Sequence, residues 1–401
     1  MTELSPTERD LIARIDPAPM LEQVLAWSAI NTGTRNLDGL TRQADLLAHA
    51  FAALPGVVTL EEAAPVEAVA PDGRAIPIAH GRPLVLRVRP QANRRFLLTG
   101  HMDTVFPVDH PFQVARWLDD VTLNGPGVAD MKGGIAVILA ALTAFEASPA
   151  AAGVGYDVLI NADEETGSLS SAPLIARLAS GKAAALTFEP SARPDGTLAG
   201  ARAGSGNYSI VIHGRSAHAG RNPEDGRNAI VAAASLVLAL TDLAGPDITV
   251  NPAKIEGGST NNVVPDLAIV RFNIRPRAEG AATRFAAALP QAIARMELQY
   301  GVHAHVHGGI SRPPKPLTKG AQALFHLVRD CGAALGQTIG WQDTGGVCDG
   351  NNIAACGVPV VDTMGVRGGA IHSADEFLIV PSLVERAQLA ALVLHRLSGE
   401  E

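Results

Sequence analysis

Val158-Leu-Ile-Asn-Ala-Asp-Glu-Glu-Thr-Gly-Ser168 decides the reading of this chain. Its first three residues form an apolar run short enough for a buried strand, and the acids follow at once. Carboxylates just beyond a strand end lie where open α/β sheets place their chemistry. Glu164 and Glu165 repel each other as neighbouring anions, and no Arg or Lys lies within a few residues. A cation must therefore be brought to them from elsewhere. A metal ion fits, with one Glu as ligand and the other holding a water.

The flanking sequence extends the strand into a fold. Leu84 to Val88 alternates as a strand, Phe96 to Leu98 is a buried strand, and Ala184 to Phe188 has the same apolar character. Between them, Gly133 to Glu146 is apolar nearly all round, which predicts a buried helix. This alternation predicts an α/β catalytic domain, with a mixed, mostly parallel sheet sandwiched by helices. The pattern changes near residue 203. Strands are predicted at Tyr208 to His213, Ile248 to Ile255, Leu267 to Arg275 and Val302 to His307, with helices over Asn228 to Leu243 and Ala281 to Met296. The order βαββαβ is ferredoxin-like and marks residues 203–313 as an inserted module. The catalytic domain is then discontinuous, 1–202 and 314–401, with Pro-rich Arg312-Pro-Pro-Lys-Pro316 as the return linker. It resumes with a helix at Ala321 to Leu335, a strand at Val358 to Thr363 and an amphipathic helix at Leu383 to Leu397.

Composition bounds the function. With 401 residues, the chain exceeds what one core usually accommodates. A formal charge of −8, from 32 basic and 40 acidic residues, argues against a nucleic-acid partner. Residues 1–10 show neither a basic n-region nor an apolar h-region, and the most apolar run, Ile135 to Leu142, is too short to cross a bilayer. The three cysteines, Cys331, Cys348 and Cys356, lack zinc-ligand spacing and read as reduced thiols, so a cytoplasmic location without membrane attachment is expected. Cys348, in a glycine-rich loop, is the one placed to line a site.

Five clusters carry metal-ligand chemistry. Thr99-Gly-His-Met-Asp-Thr104 offers His101 as an imidazole ligand, with Asp103 to orient it. Asp130, in Gly125-Pro-Gly-Val-Ala-Asp-Met-Lys-Gly-Gly134, reads either as a ligand or as a helix N-cap. The Glu164–Glu165 pair is the third, Glu189 after the apolar strand is the fourth, and His372 in Gly368-Gly-Ala-Ile-His-Ser-Ala-Asp-Glu376 is the fifth. Two His and four carboxylates suit one or two divalent ions, and the imidazoles favour zinc. A carboxylate can bridge two such ions about 3.5–4 Å apart.

These motifs resemble the co-catalytic zinc peptidase and deacylase family, which includes glutamate carboxypeptidases of the carboxypeptidase G type, acetylornithine deacetylase, succinyl-diaminopimelate desuccinylase and aminoacylase-1. Gly100-His-Met-Asp-Thr-Val105, Gly127-Val-Ala-Asp-Met-Lys-Gly-Gly134 and Asp163-Glu-Glu-Thr-Gly167 carry the resemblance, which covers essentially the whole chain. It implies two zinc ions, cobalt or manganese being alternatives. Asp130 would bridge them, with His101 and Glu189 on one and Glu165 and His372 on the other. It also implies Glu164 as general base, Asp103 as the group orienting His101, and a cis bond after Asp130.

The inserted module is similar to that family's lid and dimerisation domain, which implies a homodimer. Ser216-Ala-His-Ala-Gly220 matches the lid motif, so His218 is expected to stabilise the oxyanion from the partner subunit. Gly258-Ser-Thr-Asn-Asn-Val-Val-Pro265 matches a substrate-binding stretch with Asn262 as the contact. The resemblance further implies Arg275, Arg312 and Gly346 as substrate contacts, the arginines for carboxylates. Arg202 reads as a further anion contact or as a hinge residue. The chain departs from the carboxypeptidase G type at Gly345-Gly-Val-Cys-Asp349, where those enzymes carry Gly-Gly-Gly-Thr-Asp. It departs again at Val366-Arg367, and at Thr197, which replaces a lysine. The implied activity is hydrolysis of an N-acyl amino acid or small peptide to release an amino acid, as in a glutamate carboxypeptidase or, alternatively, an acetylornithine-type deacylase. An aminopeptidase would need acids in the lid aimed at a substrate amine, and none is evident.

Overall fold

The computed structural model describes residues 3–399. Among these, six strands form the central sheet in the order Val57–Leu60, Leu84–Val88, Gly155–Asn161, Arg95–His101, Ala184–Thr187, Val360–Val361. The last four run parallel, and Leu84–Val88 is antiparallel to both of its neighbours. Alternation along each strand builds two cores. Leu84, Leu86, Phe96 and Leu98 face one side, with helices Pro17–Ser28, Gly133–Glu146 and Ser382–Ser398. Val85, Leu97, Leu159 and Ala185 face the other, with helices Ala172–Ala179 and Asp349–Ala355. Register then sets the site: His101 pairs with Asn161 and Thr99 with Thr187, so the neighbouring strands end at one edge.

The all-round apolar helix is Gly133–Glu146, as expected, and most of it is buried. The run Val128–Glu146 is 19 residues of mean hydropathy 1.7, but Asp130 and Met131 leave helical geometry and 89% of its apolar window is buried inside the protein. The regular part, 14 residues, falls short of the roughly 20 that a bilayer demands.

The inserted module has its own four-stranded antiparallel sheet, ordered Ile248–Gly257, Leu267–Pro276, Ser205–His213, His303–Arg312. This is the ferredoxin-like arrangement. Helices Ala229–Thr241 and Glu279–Tyr300 cover one face through Tyr208, Ile210, Ile212, Val270 and Phe272. The opposite face meets the catalytic domain at the hairpin Val66–Val69/Ala75–Ile78, where Val69 packs on Val211 and Ile269.

Two expectations need correction. The strand expected at Val358 to Thr363 is only Val360–Val361, because Thr363 turns into the left-handed region at φ 68°. Asp130 does not cap the helix that follows: Lys132 stands at that position and no side chain caps it. The sequence reading also passed over three N-terminal helices, Pro6–Ala13, Pro17–Ser28 and Leu37–Phe51, capped by Ser5, Asp16 and Asn36.

Candidate active site

The three parallel strand ends and two loops bring the acids and imidazoles together. His101, the last residue of its strand, is 1% exposed. Its Nδ1 lies 3.0 Å from the Asp103 carbonyl oxygen, which can only accept. Nδ1 therefore carries a proton, and Nε2 is the nitrogen that faces the acids. Nε2 points at Asp130 Oδ1 (3.1 Å) and Glu189 Oε2 (3.5 Å). The other oxygen of Asp130, Oδ2, lies 3.3 Å from His372 Nε2, which is also 3.1 Å from Glu165 Oε2. One carboxylate thus addresses two half-sites, one oxygen each. Glu164 belongs to the same cluster: its ligand atom and those of His101 and Glu189 lie within 4.8 Å of one another.

Local structure holds this set in place. The Asp130–Met131 bond is cis. The loop carrying Asp130 is gripped by Glu376, fully buried, which accepts from the backbone N–H groups of Gly127 (3.1 Å), Ala129 (3.0 Å) and Asp130 (3.0 Å). Gly134 permits the helix start to close on the strand leading to Glu189; a Cβ there would lie 2.0 Å from the Phe188 carbonyl oxygen. Asp103 accepts from Thr34 Oγ1 (2.7 Å), Glu164 N (3.1 Å) and Glu165 N (3.2 Å), tying the acidic turn to the His101 strand. His372 sits at φ 63°, a conformation that costs a non-glycine residue about 1–3 kcal/mol.

The electrostatics show a shortage of positive charge. Burial, with the Asp130 anion beside it, pushes Glu165 up to about 7. Burial also raises Glu189 and Glu164. His372 is raised to about 11 by its hydrogen bonds to Asp130 and Glu165. Carboxylates crowded this way, with one of them facing two imidazole nitrogens that could exchange their protons for metal, fit two divalent cations.

The structure sets Arg312, expected as a substrate contact, on the acidic turn. Arg312, 5% exposed, puts Nη2 2.7 Å from Glu164 Oε1, 2.9 Å from the Glu164 carbonyl oxygen and 2.8 Å from Ser168 Oγ. It arrives from 148 residues away. Arg312 therefore lines the cavity while its guanidinium is occupied by the acidic turn. Asp349 Oδ1 lies 3.5 Å from the same nitrogen and accepts from Ser168 Oγ.

The acids open into a cavity of about 620 Å³, lined also by Arg202, Arg275, Arg312, Gly346 and Cys348. Arg202 is spent on buried Asp362 (2.7 Å), which Lys315 also approaches at 3.4 Å. Arg275 is different: half-buried, it donates to Asn273 Oδ1 (2.9 Å) and, among the described residues, pairs with no carboxylate. His218 and Asn262 lie together on the lid, both exposed and outside this cavity, with Ala219 N donating to the Asn262 carbonyl. Arg367 bonds the Pro194 carbonyl and Glu385 rather than the cavity. Thr197 lies outside it as well. Sequence reading missed Glu376 and Asp362. Glu376 carried a signal, as an acid four residues after His372, whereas Asp362 carried none.

Known proteins show the same plan. The chain is 28% identical over 376 residues to carboxypeptidase G2 of Pseudomonas sp. (strain RS-16), covering 91% of this chain and 86% of the relative. It is 28% identical over 327 residues to succinyl-diaminopimelate desuccinylase of Xylella fastidiosa (strain 9a5c), covering 76% and 84%. A tripeptidase structure from Staphylococcus aureus superposes with TM-score 0.74 at 22% identity, covering 96% of this chain and all of that one. Residues 97–396 match peptidase family M20/M25/M40, so this chain, with paired acids and imidazoles at its strand ends, belongs to that family of metal-dependent hydrolases.

Proposed function

We propose that the protein is a dinuclear zinc hydrolase that cleaves the amide bond of an N-acyl amino acid or small peptide and releases an amino acid with a free α-carboxylate, in the manner of a glutamate carboxypeptidase. The observation that carries this is Arg275: a guanidinium without an acidic partner, in the same cavity as the acid cluster. Arg pairs bidentately with carboxylates, so Arg275 suits the anionic end of such a substrate. It is held slightly below the usual arginine range by burial and by neighbouring Arg312, and a substrate anion would relieve both.

His101, Asp130 and Glu189 would hold one ion, and His372, Asp130 and Glu165 the other. When bound, such ions supply Lewis acidity and a water nucleophile at neutral pH. Imidazole and carboxylate donors favour zinc, with cobalt or manganese as substitutes. Glu164 takes the proton from the attacking water and delivers it to the leaving nitrogen. Arg275 anchors the carboxylate, and Gly346 presents its backbone to the substrate. Asn262 and His218 act from the lid, His218 donating to the developing oxyanion of the partner subunit's site. The homodimer would form through the lid, whose outer strand Ile248–Gly257 leaves one edge unpaired among the described residues.

A second reading is a deacylase of the acetylornithine or desuccinylase type. It is favoured by the absence of any lysine among the residues lining the cavity, which leaves a second substrate carboxylate without a dedicated partner. Mass spectrometry of products from N-acyl amino acids and dipeptides, with and without chelator, separates the two. Chelator-sensitive release of glutamate or aspartate from bulky donors is expected. Release of basic or neutral residues from acetyl or succinyl donors would replace the first reading by the second.

A further inference from the structure

The strand His303–Arg312 opens His303-Ala-His-Val-His307, and the strand beside it ends at His213. Side chains on a strand alternate between faces, so His303, His305 and His307 project to one side. The register shows which side. Ala304, whose cross-strand partner is Ile212, packs against the helix-covered core with Ile210 and Ile212, so the histidines project from the opposite face. His303 pairs directly with His213, and His305 pairs with Val211, whose side chain is on that opposite face. The His213 and His305 rings are 5.8 Å apart, centroid to centroid. His213, His303 and His305 are exposed. None of the four imidazoles makes a hydrogen bond or ion pair with another described residue.

We propose that His213, His303 and His305 form a site for one borderline divalent transition-metal ion (zinc, nickel or copper), separate from the acid cluster. Directly opposed residues of an antiparallel pair have Cβ atoms about 4.5–5.5 Å apart, and an imidazole–metal bond is about 2.0–2.1 Å. Exposed His rings on adjacent strands can therefore close on one ion with little backbone movement. Three imidazole nitrogens, with no carboxylate among them, select zinc, nickel or copper over magnesium or calcium, which take oxygen donors. The fourth histidine, His307, is left out of the set: it is less exposed than the other three and pairs with Ser209, whose hydroxyl is taken by the Arg271 guanidinium at 3.0 Å. The site is also remote from the acids. Ser205, at the other end of the His213 strand, pairs with Arg312; at about 3.3 Å per residue, His213 is roughly 26 Å along the strand from it.

The test compares the full-length untagged chain with a His213→Asn, His305→Asn double variant and a His101→Asn variant. Each is stripped with chelator, then titrated with zinc by calorimetry and passed over nickel-charged resin. The parent should bind one equivalent more than the double variant and be retained longer on the resin. The His101→Asn variant should keep that extra equivalent. Copper(II) loaded on the His101→Asn protein should show imidazole nitrogen couplings that the double variant, carried in the same background, lacks. Because these surface residues are away from the acid cluster, the double variant should hydrolyse substrate within twofold of the parent. Equal zinc stoichiometry and equal resin retention in parent and double variant would overturn the proposal.

Discussion

Glu164→Gln keeps the shape of the side chain and removes its capacity to take a proton. General acid–base groups contribute about 10²–10⁴-fold, so kcat should fall by that range while KM and bound metal change little, as read by steady-state kinetics and metal analysis. Two of the cavity arginines, Arg275 and Arg312, separate in the opposite sense. Among the described residues, Arg275 has only Asn273 as a side-chain hydrogen-bond partner. Arg275→Ala should leave stability nearly unchanged and raise KM for an acyl-glutamate by about 1.5–3 kcal/mol, roughly ten- to hundredfold. Arg312→Ala would strand the buried carboxylates of Glu164 and Asp349 and should cost about 3–5 kcal/mol in urea unfolding. If instead Arg312→Ala is as stable as the parent and raises KM as Arg275→Ala does, Arg312 binds substrate and the ion pair with Glu164 is incidental. At this scale the sequence was readable wherever a residue followed a strand directly. His101 and Glu189 are of that kind, because the strand itself aims them. Asp362 escaped because its partners are cations from distant segments, which leave no local pattern; Glu376 binds backbone N–H groups, so only its place four residues after His372 marked it.

The short helix Asp349–Ala355 touches both the inserted module and the acidic turn. Asn351, fully buried, donates to the carbonyls of Ala203 (2.9 Å) and Pro313 (2.8 Å), the two chain crossings between catalytic domain and lid. Asn352 donates to the Ser311 carbonyl (3.0 Å). Asp349, one turn back, accepts from Asn161 and Ser168 beside the Glu164 turn. The chain crossings and the Glu164 turn are thus both held by one short element, through Asn351 and Asp349. Asn351→Ala removes both hinge bonds and leaves two buried carbonyls, a cost of about 1–3 kcal/mol. Hydrogen exchange should speed up at the crossings, around Ala203 and Lys315, before it does in the central sheet. Uniform acceleration throughout the chain would mean that Asn351 supports the fold and not the hinge. This helix was hidden in the sequence because Gly345-Gly-Val-Cys-Asp349 reads as a loop, and seven residues are too few to show a 3.6-residue period. The long apolar helix Gly133–Glu146 and the alternating lid strands had enough residues to show theirs. The N-terminal helices carried real signals, including a capping box from Ser5 to Glu8, but less apolar periodicity to mark them.

For the whole molecule, the sequence order β-α-β-β-α-β was enough to mark an inserted ferredoxin-like module, because its core is built from alternation within the segment. What alternation cannot encode is which surfaces meet after folding, and His218 depends on that. It lies on the loop after strand Ser205–His213, exposed, bridged through its backbone to Val263, and outside the cavity that holds Glu164. Within a single chain it touches none of the acids. A role at the oxyanion therefore requires a second subunit placed by the lid edge, and that makes the assignment testable by complementation. Glu164→Ala and His218→Ala chains should each be inactive alone. In a two-fold dimer of the two, one site carries both defects and the other carries neither, so purified mixed dimers should recover about half of parental activity. If His218 serves its own chain, every site in the mixed dimer has one defect and nothing is recovered. Size-exclusion chromatography of each variant, run beside the assay, shows whether the dimers form, so that lost assembly is not mistaken for action within one chain.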